Sequence, residues 1–80
     1  MKHKVEEGAL NFGHEFHGHE HHFLLTREAL EFMADEKGLG ETAVINTYNA
    51  HLKRIHAVAE RLSKGADPLD RIVLERSAFD

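Results

Sequence analysis

Alternating apolar and polar residues over 10–26 predict a β-hairpin, because a strand with one buried face repeats every two residues. The turn is expected at His17-Gly18, where the glycine can take the positive φ of a two-residue turn. A slip of one residue would move Phe23 and Leu25 to solvent, so the pattern predicts a single register. That register places four pairs of side chains on one face: Leu10–Leu25, Phe12–Phe23, His14–His21 and Phe16–His19.

The residues on either side of the hairpin predict an arm and a helix. Residues 1–8 alternate charges around one apolar side chain, so we expect a loose arm or a short edge strand. After the hairpin, the hydroxyl of Thr26 is expected to cap a helix over 27–37. Gly38 suits the left-handed position that ends such a helix.

A longer helix is predicted over 42–64, where apolar residues recur at spacings of three and four. Gly65 and the following Asp67-Pro68 end it. A third strand is predicted over 71–79 from the run Ile72-Val73-Leu74. The expected apolar stripe of the long helix consists of Val44, Ile45, Tyr48, Leu52, Ile55, Ala59 and Leu62.

The order β-β-α-α-β predicts an α+β fold with two layers. Eighty residues suffice for one domain, expected over 1–80, in which a small antiparallel sheet carries both helices on one face. A core of this size stabilises a fold only marginally, so we expect a protein partner or a homodimer.

Charge and composition narrow the expected partners and compartment. Ten basic against fourteen acidic residues give a net charge of −4, which disfavours a dedicated nucleic-acid binder. The chain has no cysteine, no signal-like start and no apolar run of transmembrane length, so we expect a cytoplasmic protein without a membrane contact. A weaker alternative is a nucleic-acid-associated regulator acting through the basic side of the long helix and the following segment: Lys53, Arg54, Arg61, Lys64, Arg71 and Arg76.

Several segments from residue 10 onward share their hydrophobic spacing, and a helix start of the form Thr-Arg-Glu-Ala-Leu, with a known family. These segments are Leu10-Asn11-Phe12, Gly18, Phe23 to Leu30, Tyr48 to Ile55, Ile72-Val73-Leu74 and Ala78-Phe79. Through them the chain resembles the DUF1488 family of small uncharacterised bacterial proteins. The resemblance implies an α+β fold in a bacterial cytoplasm and carries no established activity.

Five of the eight histidines lie in the predicted hairpin, which suggests a metal site. His14 and His21 would be cross-strand neighbours with Cβ atoms about 4.5–5.5 Å apart. They could share a Zn²⁺, Ni²⁺ or Cu²⁺ ion, with His19 or a water molecule completing the site. The alternative is that histidines occupy half-buried positions near a hairpin tip, with no cofactor. On the long helix, His51 could meet the hairpin imidazoles if the sheet packs that way.

Catalytic patterns are missing from the sequence. His14-Glu15 and His19-Glu20 begin like the H-E-x-x-H zinc-protease motif, but Gly18 and Phe23 occupy the final position. The serines lack the sequence context of a catalytic nucleophile. The two glycines of Gly38-Leu39-Gly40 lack the rest of a phosphate-binding motif. We therefore expect a non-enzymatic protein-interaction module, with metal binding by the hairpin histidines as the alternative.

Overall fold

A computed structural model describes residues 3–79 as a four-stranded sheet with three α-helices. The strands lie in the order β1-β2-β3-β4 across the sheet. The elements follow the chain as β1 (His3–Glu6), β2 (Ala9–Phe16), β3 (His19–Leu25), α1 (Arg27–Ala34), α2 (Glu41–Ala50), α3 (Leu52–Ser63), β4 (Ile72–Leu74) and a 3₁₀ turn (Arg76–Ala78). The predicted α+β fold is confirmed.

The hairpin of β2 and β3 has the predicted register in every pair. Leu10 lies opposite Leu25, Phe12 opposite Phe23, His14 opposite His21 and Phe16 opposite His19. The connection is the predicted His17-Gly18 turn, with φ of 54° and 81°. Positive φ at both central residues matches the twist of the flanking strands, which is why such turns close short hairpins.

Alternation along the strands divides the sheet into a covered and an uncovered face. Leu10, Phe12, Phe23 and Leu25 are buried under the helices, with exposures from 0% to 3%. The opposite face, which we call the open face, carries no helix among the described residues. Its side chains are Lys4, Glu6, Asn11, Glu15, Glu20, His22, Leu24 and Val73.

Helix α1 is capped as predicted but is shorter than the predicted 27–37. The Thr26 hydroxyl accepts the N–H of Ala29 at 3.2 Å. The helix ends at Ala34 because Asp35, three residues before Gly38, is already left-handed, with φ of 54°, and acts as the C-cap. Gly38 also has a positive φ, of 70°, but it lies in the loop beyond the helix. The carboxylate of Glu31 accepts the N–H of Gly38 at 2.9 Å, which holds the following loop outside the helix.

The single helix predicted over 42–64 is wrong, since the chain bends at His51 and forms α2 and α3. His51 has φ of −114° and ψ of 22°, outside the helical range. No proline or glycine marks the bend in the sequence, although Thr47 bonds back to Ala43 O at 2.8 Å, a contact that often bends helices. The expected stripe is buried only in part: Tyr48 of α2 and Ile55 of α3 are buried, whereas Leu62 near the end of α3 is 37% exposed. None of the described helices is long and apolar enough to cross a membrane.

The C-terminal strand differs from the prediction in length and direction. Only Ile72–Leu74 forms a strand, and residues 76–78 form the 3₁₀ turn. β4 runs parallel to β3, so the sheet is mixed and not wholly antiparallel as predicted. Parallel neighbours require a long crossover, which the three helices provide, and its path depends on how they pack. Residues 3–6, predicted as an arm or an edge strand, form the edge strand β1.

The left-handed turn residue Gly18 offers a test of the hairpin. Its φ is 81°, and a Cβ built there would meet no atom within 4 Å, so strain alone determines the cost of a side chain. We expect Gly18→Ala to lower the free energy of unfolding by about 1–2 kcal/mol in urea denaturation. Gly13 lies in strand β2 without a positive φ, and a Cβ built there would come no closer than 3.6 Å to another atom, so the control Gly13→Ala should not lower the free energy of unfolding. Equal costs at the two glycines would contradict the left-handed turn.

Candidate functional site

The hairpin tip and helix α3 bring imidazoles together at one end of the interface between sheet and helices. The confirmed register places His14 and His21 side by side on the covered face. His56 comes from α3, and its ring centroid lies 4.3 Å from that of His14. Phe16 lies beside His14, with its ring centroid 4.6 Å from that of His14. The site is therefore an aromatic cluster in which histidines continue the phenylalanine core.

Tyr48 of α2 connects this cluster to the core. Its phenol lies 3.0 Å from Nε2 of His56, and its ring is 5.2 Å from that of Phe12. Burial raises the pKa of Tyr48 to about 12, so the phenol stays protonated at neutral pH. The phenol donates to Nε2 of His56 when the ring hydrogen is on Nδ1, and accepts from Nε2 when the hydrogen is there.

His21 is the most buried of the three predicted ligands. It is 3% exposed, and its Nδ1 has no hydrogen-bond partner among the described residues. A buried polar atom without a partner costs free energy, because it loses its hydrogen bonds to water on folding. The buried Nδ1 of His21 is thus expected to lower the stability of the folded state.

His19 lies at the hairpin tip, opposite Phe16. It is exposed, and with His17 and His21 it borders a shallow groove against the end of α3. The opposite wall of the groove consists of Ser63, Lys64, Gly65, Ala66 and Pro68. His19 and His21 therefore share this groove, whereas the ring of His14 contacts that of His56.

A three-ligand metal centre is not assembled by the described residues. Within residues 3–79, no group of three or more histidine, aspartate or glutamate side chains has the geometry to hold a metal ion. His14 and His21 are cross-strand partners in the backbone register, and the ring of His14 contacts those of Phe16 and His56.

From the sequence, His51 was the helical residue that could meet the hairpin imidazoles. The structure places His56 there instead. His51 lies at the bend between α2 and α3, where it borders a small surface hollow with Asn49, Lys53 and Arg54. The bend turns α3 so that His56 faces the hairpin. The tyrosine in the apolar stripe was the available signal, since a buried phenol usually has a hydrogen-bond partner.

Three of the six basic residues that could contact nucleic acid make contacts within the fold. Arg54 donates to the carbonyl of Phe79, and its guanidinium lies 5.8 Å from the centroid of that ring. Arg61 donates to Ala78 O at 3.5 Å, and the guanidinium of Arg76 lies 4.7 Å from the Phe32 ring centroid. Three of the six basic residues therefore hold the C-terminal segment in place, which gives them a structural role.

The unpartnered Nδ1 of His21 predicts a stabilising substitution. We expect His21→Leu to raise the free energy of unfolding by about 1 kcal/mol, because the replacement is similar in size and removes a buried polar atom. The matched control is His19→Leu on the same strand and face, which is exposed and should change stability by less than about 0.5 kcal/mol. Thermal unfolding by circular dichroism measures both, and a destabilised His21→Leu protein would refute the assigned cost.

No protein-family profile, no curated protein and no solved structure matches this chain. The resemblance to the DUF1488 family therefore stays a prediction.

Proposed function

We propose that this chain is a small non-enzymatic protein-interaction module whose contact surface is the open face of the sheet. The observation that carries the proposal is the apolar pair at the β4 side of that face. Leu24 and Val73 are register partners on neighbouring strands, and Val73 is 43% exposed. The non-enzymatic part comes from the sequence, in which no catalytic set was identified.

The composition of the open face is similar to that of ordinary protein–protein interfaces. The same face also carries charged side chains, including the Lys4–Glu6 ion pair at 2.9 Å on β1 and the Glu20–His22 contact at 3.7 Å on β3. Protein interfaces combine an apolar centre with a polar rim in this way. The covered face cannot serve the same purpose, because the helices already bury its phenylalanines and leucines.

Site-specific photocrosslinking tests the proposal. A benzoylphenylalanine at Val73 should give a discrete adduct in the cells that produce the protein, identified by mass spectrometry of the crosslinked peptide. The matched control is the same probe at Ala57, an exposed position on α3, which should give no such adduct. The adduct should disappear when Leu24→Glu is added, since a carboxylate beside Val73 disrupts an apolar contact. Equal adducts from both positions, or none from Val73, would refute the proposal.

A second candidate function is metal binding by the hairpin histidines. It is favoured by the cross-strand position of His14 and His21, together with the unpartnered Nδ1 of His21. Neutral imidazoles are suitable ligands for Zn²⁺ and Ni²⁺, and water would complete the coordination.

Calorimetric titration of tag-free protein with zinc and nickel near neutral pH tests this second candidate. It predicts a one-site isotherm that is lost in the His14→Ala/His21→Ala double variant and retained in a His17→Ala/His22→Ala control. Weak heat at several sites, or equal loss in both double variants, would contradict a site at His14 and His21.

A further inference from the structure

The free edge of β4 presents backbone hydrogen-bonding groups to solvent. Thr26 follows β3, and its N–H and hydroxyl both donate to Leu74 O, at 3.2 Å and 3.4 Å. The carbonyl of Leu74 therefore points toward β3. Because backbone groups alternate in direction along a strand, the N–H and C=O of Val73 point away from the sheet. The part of the chain that the structure describes places no strand beyond β4.

The sequence around Val73 is complementary to itself in the antiparallel direction. In Arg71-Ile72-Val73-Leu74-Glu75, pairing about Val73 puts Arg71 of one copy opposite Glu75 of the other, and the same contact occurs twice. Residues 71, 73 and 75 share one parity, so both charge pairs would lie on the open face beside the exposed Val73 side chains. Opposite charges directly across an antiparallel pair are stabilising, and like charges are destabilising.

From this edge we infer that the partner is a second copy of this chain, joined through β4 into a continuous eight-stranded sheet about a twofold axis. The inference rests on the proposed function and names its partner. A twofold interface uses the same surface on both copies, which is the symmetry that a self-complementary strand provides. The hydrogen bonds come from the outward groups of Val73, and the specificity comes from Arg71 and Glu75.

The opposite edge of the sheet is less suited to this role. β1 carries Lys4 and Glu6, whose side chains already pair with each other at 2.9 Å. Among the described residues, no ion pair engages Arg71 or Glu75. The charges of Lys4 and Glu6 thus compensate each other within β1, whereas those of Arg71 and Glu75 beside β4 are available to a partner.

Sedimentation of the purified chain from about 1 μM to about 1 mM tests the inference. We expect a monomer–dimer equilibrium that Arg71→Glu or Glu75→Arg alone weakens by at least about tenfold, because each creates two like-charge contacts. The double variant Arg71→Glu/Glu75→Arg should recover most of the affinity. Lys4→Glu on the β1 edge is the control and should leave dimerisation unchanged.

A proline gives an independent test of the edge. Val73→Pro removes an N–H that the ladder with β3 does not use, so the monomer should fold while dimerisation is lost. If this variant fails to fold, the charge variants at the exposed positions decide the question. A wild-type chain that is monomeric throughout, or a dimer that the single charge reversals leave intact, would overturn the inference. In either case a Val73 photoadduct with another protein would leave the proposed function standing.

Discussion

Replacing Phe23 with alanine should lower the free energy of unfolding by roughly 3–5 kcal/mol. Phe23 is 1% exposed, stacks on Phe12 at 5.1 Å and meets the edge of Phe16 at 5.9 Å. A domain of this size has about 4–12 kcal/mol of stability in total, so the substitution should remove a quarter of it or more. Urea denaturation followed by circular dichroism measures the change.

The control for Phe23→Ala is the same substitution at Phe32. That side chain is 37% exposed on α1 and contacts the guanidinium of Arg76, so we expect a loss of less than about 1 kcal/mol. If Phe23→Ala does not fold at all, Phe23→Leu provides a smaller and measurable loss. Similar costs for Phe23→Ala and Phe32→Ala would contradict the burial of the hairpin face.

The phenol of Tyr48 should resist ionisation in the folded protein. Burial raises its pKa from 10.0 to about 12, so the folded state holds this proton more tightly than the unfolded state. The stability linked to this proton is fully present below pH 10 and is lost as the pH rises from 10 to about 12. The loss is at most roughly 2–3 kcal/mol, which is the upper limit for a group whose pKa rises from 10.0 to about 12.

The chain has one tyrosine and no tryptophan, so tyrosinate absorbance reports Tyr48 alone. We expect folded protein to show no tyrosinate at pH 10, whereas protein in concentrated guanidinium chloride should titrate near the ordinary value. Circular dichroism recorded on the same samples distinguishes ionisation from unfolding. A folded protein that forms tyrosinate near pH 10 would contradict the buried phenol.

Much of the hairpin was predictable because its pattern is local. Gly18 sets the turn, and the two-residue repeat then determines which side chains share a face. A different register would expose Phe23 and Leu25, which would cost several kcal/mol of buried apolar surface. The N-cap is local as well, which is why the hydroxyl of Thr26 was predicted correctly.

The bend at His51 was not predictable from propensity, because each residue from 42 to 64 is compatible with one long helix. The bend follows from packing, since α2 contacts α1 while α3 contacts β4. It also determines which histidine of the helical region meets the hairpin. The candidate site was therefore predicted on the hairpin side, at His14 and His21, and missed on the helical side, at Tyr48 and His56.

By itself the sequence determined the α+β class, the hairpin register and the concentration of imidazoles near one turn. These features depend on side-chain periodicity and on residues a few positions apart. Tertiary structure alone decided that β4 runs parallel to β3, that His56 stacks on His14, and that Val73 lies at a free edge. Each of these depends on how separate elements pack against one another, and burying the same apolar side chains is compatible with more than one such arrangement.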